Sequence, residues 1–88
     1  MWFVYIVEFS GGKFYTGITT DPERRVEEHN LGIGAKSLRG KGPVNIVYIE
    51  QQNDQANAAK REREIKGWNR VKKLELIKKG NQLEKGLP

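Results

Sequence analysis

The segment Trp2 to Ile18 constrains this chain more than any other. Trp2-Phe3-Val4-Tyr5-Ile6-Val7-Glu8-Phe9 and Lys13 to Ile18 are both rich in aromatic and β-branched residues, and only Ser10-Gly11-Gly12 separates them. Such side chains fit a pleated strand, and a glycine pair between two such runs closes a β-hairpin. Loop length then decides which side chains share a face, because a slip of one residue reverses all of them. A two-residue loop at Gly11-Gly12 pairs Phe9 with Phe14 and sends Tyr5 and Tyr15 to opposite faces. A three-residue loop pairs Phe9 with Lys13 and Tyr5 with Gly17, so that Tyr5, Val7, Tyr15 and Gly17 share one face. Three-residue loops need a left-handed residue near their end, and Gly12 supplies it, which favours this second register.

The remaining punctuation is equally direct. Thr20-Asp21-Pro22-Glu23 reads as a helix start: Thr20 or Asp21 can cap, Pro22 suits the first turn, and Thr20 with Glu23 fits a capping box. That helix carries Arg24, Arg25, Val26, Glu27, Glu28, His29 and Asn30, and stops at Gly32 and Gly34. Val26 is its only strongly apolar residue before Leu31, so its exposed face is free for another purpose. A glycine-spaced basic loop covers residues 32–43, and Val44 to Glu50 reads as a third strand. Asp54 or Asn53 caps a helix from Gln55 to about Lys66, which Gly67 breaks. Asn69 caps a last helix, with Val71, Leu74 and Ile77 as its expected buried stripe and Gly80 as its end. The predicted order is β-β-α-β-α-α: an α+β domain with a small three-stranded antiparallel sheet flanked by three helices, over residues 1–80, with a flexible tail at 81–88.

Composition narrows the chemistry. The 88 residues suffice for one domain and leave no room for a dinucleotide fold or a barrel. Cysteine is absent, which excludes disulfides, thiolate metal sites and thiol nucleophiles, and points to a reducing, cytoplasmic setting. The single histidine cannot build a multi-histidine metal site. No apolar run approaches the roughly 18 residues that span a membrane, and the apolar start lacks the basic flank and cleavage site of a secretion signal. Sixteen Lys and Arg stand against eleven Asp and Glu, a net charge of +5 that favours polyanion partners.

Three features can carry chemistry. Arg25 and His29, four residues apart, lie on one helix face, where an Arg beside a neutral imidazole can grip a phosphate; alternatively Arg25 simply pairs with Asp21 on a solvated face. Glu62 falls on the apolar stripe formed by Ala58, Ala59 and Ile65, while Glu64 points away. A carboxylate on a packed face needs a partner. Lys66 or a nearby Arg would serve, and so would a hard cation such as Mg²⁺, which accepts one or two carboxylates and keeps several waters. Tyr5 and Tyr15 are core aromatics in the simplest reading; beside Gly17 they would also frame a small polar pocket.

These residues, taken together, resemble the GIY-YIG nuclease domain over about residues 2 to 78. The first motif is represented by Phe3-Val4-Tyr5 and the second by Tyr15-Thr16-Gly17. Asp21-Pro22-Glu23-Arg24-Arg25 and Glu28-His29-Asn30 follow, and Glu62-Arg63-Glu64-Ile65-Lys66-Gly67-Trp68 is similar to the family's glutamate-bearing helix. The pattern is nearest the small stand-alone bacterial YhbQ-like branch, related to the nuclease module of the bacterial repair excinuclease. Phe3 and Val4 replace the Gly and Ile of the first motif but leave its tyrosine.

The resemblance implies a phosphodiesterase using one divalent metal ion, Mg²⁺ or Mn²⁺. Carried over by position, Tyr5 and Tyr15 are the motif tyrosines, Arg25 the catalytic arginine and Glu62 the sole protein ligand of the metal. His29 takes the place four after that arginine. Tyr5 is favoured over Tyr15 as the group that accepts a proton from water, provided that nearby cations lower its pKa. Lys36, Arg39 and Lys41 in the loop, with Arg70, Lys72 and Lys73, are expected to meet DNA phosphates. The expected activity is a DNA endonuclease selective for branched, flapped or damaged DNA in repair or recombination. A partner protein is a candidate source of targeting, since no second DNA-binding domain is expected in the chain. The alternatives are a nucleic-acid-binding module with little or no catalysis, and a protein-interaction domain.

Overall fold

The hairpin closes on the three-residue register. In the computed structural model, which describes residues 1–34, 38 and 43–80 together with the backbone of 81–86, β1 (Trp2–Phe9) and β2 (Lys13–Thr19) are antiparallel. Phe9 pairs with Lys13, Val7 with Tyr15 and Tyr5 with Gly17. Ser10, Gly11 and Gly12 all have positive φ, at 42°, 74° and 105°, so the glycines carry most of a turn that other residues adopt at a cost. The chain continues through α1 (Pro22–Asn30), β3 (Asn45–Gln52), α2 (Gln55–Lys66) and α3 (Arg70–Gly86), in the β-β-α-β-α-α order expected of the α+β class.

The sheet order is β2-β1-β3, all antiparallel, with a register shift between Ile6 and Val7 where β1 meets β3. Being central, β1 is covered on both faces, as its unbroken apolar run requires. Val4 and Ile6 pack with Ala58 and Ile65 of α2 and Ile77 of α3. Tyr5 and Val7 point the other way, into a cluster with Leu38 and Val44 that Val26 of α1 joins. The strand β2 forms one edge of the sheet.

Side-chain caps fix where the helices begin. Asp21 caps α1 by accepting from the Arg24 amide at 3.2 Å, so Asp21 rather than Thr20 holds the cap position. Asp54 caps α2 through the Asn57 amide, and Asn69 accepts from the Lys72 amide at the start of α3. Two polar clasps orient the helices on the sheet. Asn30 accepts from the Val44 amide at 2.7 Å, tying the end of α1 to the approach to β3. Arg61 of α2 donates its Nε–H to both carboxylate oxygens of Glu50 on β3, which Tyr48 and Gln52 also contact.

The expected stripe on α3 is corrected by the packing. Val71 is 64% exposed and Leu74 43% exposed, while Leu76 and Ile77 face the core. The helix does not end at Gly80. A Cβ at Gly80 would lie 2.7 Å from the Tyr48 ring, so this glycine lets the helix approach β3 instead of stopping it. Close contact with Tyr48 therefore decides which side of α3 is buried, overriding the i, i+3 apolar spacing. Lys36, Arg39 and Lys41 lie outside the described residues. Among the described residues, no helix is long and apolar enough to cross a membrane.

Ile65 is fully buried in the cluster that fastens α2 to the sheet. Ile65→Ala is expected to cost about 2–5 kcal/mol of stability, the usual range for such a truncation, as measured by urea denaturation.

Candidate active site

Alternation along the hairpin delivers Tyr5 and Tyr15 to one sheet face, and α1 crosses that face with His29. The three rings form a cluster: centroids lie 6.3 Å apart for Tyr5 and Tyr15, 5.9 Å for Tyr5 and His29, and 5.6 Å for Tyr15 and His29. The Tyr5 hydroxyl lies 2.9 Å from His29 Nε2. With the imidazole proton on Nδ1, Nε2 accepts the phenol O–H. Both side chains are buried, with His29 only 3% exposed.

Two glycines make this pair possible. A Cβ at Gly17, directly across from Tyr5, would come within 2.6 Å of the Tyr5 hydroxyl oxygen. A Cβ at Gly34, in the turn after α1, would come within 2.9 Å of His29 Cε1 and 3.0 Å of His29 Cα. The second contact includes backbone and cannot be relieved by a side-chain rotation. The amides of Ile33 and Gly34 both donate to the Glu28 carbonyl at 3.0 Å, which folds that turn back over α1.

Arg25, one turn before His29, donates to Glu28 Oε1 at 3.1 Å. Its guanidinium also acts on the Tyr5 hydroxyl and borders an open groove lined by Trp2, Ile18, Thr19, Asp21 and Arg24. Arg25 thus pairs with Glu28 and not with Asp21, the alternative partner, whose carboxylate caps α1. Glu62 comes from α2. Its side chain is 19% exposed against 51% for Glu64, in line with its position on the packed stripe. Its field reaches Tyr5, and its Oε2 lies 3.3 Å from Lys66 Nζ. Tyr5, Tyr15, Arg25, His29 and Glu62 are therefore brought to one locality by the hairpin, α1 and α2.

Electrostatics in the cluster follow burial. The Tyr5 phenol is pushed up to about 12, mainly because burial penalises the phenolate; Arg25 pulls the other way and is outweighed. His29 is held below its ordinary value, first by burial and then by the positive charge of Arg25. A protonated Tyr5 beside a neutral His29 is the resting state at neutral pH.

The donor set limits how a metal ion could be held. Among the described residues no group of three or more His, Cys, Asp or Glu converges, so a cage of protein ligands is not available. A half-buried single carboxylate, Glu62, suits a hard cation that keeps most of its waters and takes further oxygens from a phosphate.

Of the basic residues expected to meet DNA, Arg70, Lys72 and Lys73 lie among the described residues and differ in setting. The Arg70 guanidinium lies 4.9 Å from the Phe14 ring centroid and donates to the Gly12 carbonyl, so it stands at the hairpin that carries Tyr15. Lys72 sits over Trp68 at 4.4 Å, and Lys73 is half-buried. Sequence reasoning missed Gly34, whose role depends on a fold-back that no local pattern announces. It also passed over Asn30 as a clasp and the approach of Lys66 to the Tyr15 ring.

As the sole histidine, His29 offers a clean measurement. Its folded-state pKa lies below that of the unfolded chain, so its contribution to stability is complete above pH 6.5 and declines as pH falls below that value. An NMR titration is expected to show one imidazole midpoint below 6.5. Urea denaturation is expected to show stability falling from that pH downward, with a shallower slope in His29→Gln.

Residues 1–75 match the GIY-YIG catalytic domain. A UPF0213 protein of Haloquadratum walsbyi is 49% identical over 81 residues, spanning 92% of this chain and 91% of that one. A UPF0213 protein of Staphylococcus aureus is 51% identical over 76 residues, spanning 86% and 93%. The solution NMR structure of a UPF0213 protein from Bacillus halodurans superposes with a TM-score of 0.58 at 41% identity, covering 91% of this chain and 87% of that one. With the family domain matched from the first strand into α3, the chain belongs to the GIY-YIG catalytic domain family.

Proposed function

We propose that this protein is a metal-dependent DNA endonuclease that hydrolyses phosphodiester bonds in branched, flapped or damaged DNA, in repair or recombination. The observation that carries this reading is the convergence of Tyr5, Tyr15 and His29 with Arg25 and Glu62, five residues that a binding module has no need to assemble.

Phosphodiester hydrolysis needs a deprotonated water, neutralisation of the charge growing on the phosphate oxygens, and help for the leaving oxygen. Arg25 holds the non-bridging oxygens where that charge grows. A phenol with a pKa of about 12 is unsuited to act alone as a base at neutral pH. The neutral imidazole behind it supplies the missing acceptor. Tyr5 takes a proton from the attacking water as its own proton passes to His29 Nε2, leaving a neutral tyrosine, an imidazolium and a hydroxide equivalent bonded to phosphorus; the bond from phosphorus to the 3′ oxygen breaks, and that oxygen leaves as an alkoxide that takes a proton from solvent. Tyr15 packs against both rings and limits their motion. Glu62 would hold Mg²⁺ or Mn²⁺, which when bound supplies Lewis-acid polarisation of the phosphate and shielding of the leaving 3′ oxygen.

Arg70, at the hairpin beside β2, and Lys72 and Lys73 further along α3 are assigned to flanking phosphates, with Lys36, Arg39 and Lys41 as loop contacts. Such contacts carry no sequence information, so selectivity rests on DNA shape, and a partner protein can supply further targeting.

The test is incubation with flap, junction, nicked and single-stranded DNAs in Mg²⁺ or Mn²⁺. Arg25→Ala is expected to lower the cleavage rate by about 10²–10³, the range for losing one charge-stabilising donor. Glu62→Gln is expected to abolish metal-dependent turnover and retain the fold by circular dichroism. Normal cutting by Glu62→Gln, or wild-type cutting in excess chelator, would sink the reading.

A further inference from the structure

Lys66 touches two members of the candidate site and has no part in the mechanism above. Its ammonium lies 3.3 Å from Glu62 Oε2 and 5.8 Å from the centroid of the Tyr15 ring. The spacing to Glu62 is i, i+4, so α2 itself places one side chain over the other. The two are unequally buried: the Glu62 side chain is 19% exposed and that of Lys66 is 51% exposed. The carboxylate is set back on the packed side of α2 while its counter-charge remains in reach of solvent.

We propose that Lys66 is a built-in counter-ion that occupies the cation position at Glu62 and is displaced when a divalent ion binds there. This inference rests on the reading of Glu62 as the metal ligand. An ammonium and a divalent cation repel one another, and at one carboxylate they compete. Without metal, the Lys66 pairing neutralises Glu62, so the site does not present a bare carboxylate to a phosphate. With metal, the long flexible stem of Lys66 lets its charge swing away, and the electron-rich face of Tyr15 offers a resting place. A phosphate beside Tyr15 would give the displaced ammonium a better partner. Metal and DNA would then each favour the binding of the other, since a coupling of this kind is reciprocal.

The test is Mn²⁺ binding without DNA, read from electron paramagnetic resonance of free Mn²⁺ and from paramagnetic broadening of the Tyr15 and Gly17 amide resonances. Lys66→Met keeps the aliphatic stem and removes the charge; it is expected to bind Mn²⁺ about two- to fivefold more tightly, the scale of a partly exposed ion pair. Lys66→Arg, which retains the pairing, is expected to bind as the wild type does. Lys60→Met removes the same charge from an exposed position elsewhere on α2 and is expected to change little. Glu62→Gln is expected to remove this binding in both the wild-type and Lys66→Met backgrounds. Equal or weaker Mn²⁺ binding by Lys66→Met would overturn the inference, as would an equal gain in Lys60→Met, which would reduce the effect to general charge. Glu62-independent binding in every variant would overturn the metal reading itself, and this inference with it.

Discussion

The close approach of Tyr5 to Gly17 is the contact on which the rest of the site depends. It exists because the Ser10-Gly11-Gly12 turn sets a register in which these two residues face each other across β1 and β2. One residue of slip would put Tyr15 on the α2 and α3 side of the sheet and a side chain in place of Gly17. With the register set, the Tyr5 hydroxyl lies over bare backbone, within reach of His29 on α1. The turn therefore does more than reverse the chain: it selects which of two faces holds the polar cluster.

That cluster shows how a small domain uses burial. A domain of this size has few layers with which to exclude water. Tyr5 is nevertheless almost fully covered, because β1 is the central strand and α1 with its following turn closes over the ring pair. Burial without charge is inexpensive when each polar atom has a partner, and the Tyr5–His29 hydrogen bond supplies one. The same burial raises the phenol and depresses the imidazole, so both groups are kept neutral and differ in whether they donate or accept. In the proposed reaction, proton transfer through this pair would need no buried charge until the reaction creates one.

Much of this architecture was legible in the sequence, for local reasons. The hairpin register follows from where Gly12 sits, the helix starts from the pairs Thr20-Asp21 and Asn53-Asp54 and from Asn69, and the inward aspect of Glu62 from its spacing to Ala58 and Ile65. What failed depended on contacts between distant segments. Apolar spacing suggested Val71 and Leu74 as the buried stripe of α3, but the approach of Gly80 to Tyr48 rolls the helix toward Leu76 and Ile77. The same approach turns Gly80 from an expected stop into a packing residue. Gly34 read as a helix terminator and proved to be a surface against which His29 packs. A glycine's role as a stop and its role as a close contact have one sequence signature, and only the fold separates them.

The charged members of the site follow a different rule from the neutral pair. Arg25 and Glu62 both stand at the margin of the buried cluster, and each carries an opposite charge on its own helix: Glu28 three residues on, and Lys66 four residues on. A lone charge at the edge of a low-dielectric region is costly, and a partner one helical turn away is the least expensive way to offset it. Such partners are also easy to give up, because partly exposed pairs are worth little. In the proposed reaction, a substrate phosphate would take Arg25 from Glu28, and a divalent cation would take Glu62 from Lys66, at small cost in each case. The arrangement keeps the margin of the site nearly neutral at rest and leaves the net charge of +5 to come from elsewhere on the chain. In the proposed reaction, attraction for a polyanion and chemistry upon it thereby fall to different residues, and those proposed to do the chemistry are held in readiness by pairs weak enough to break.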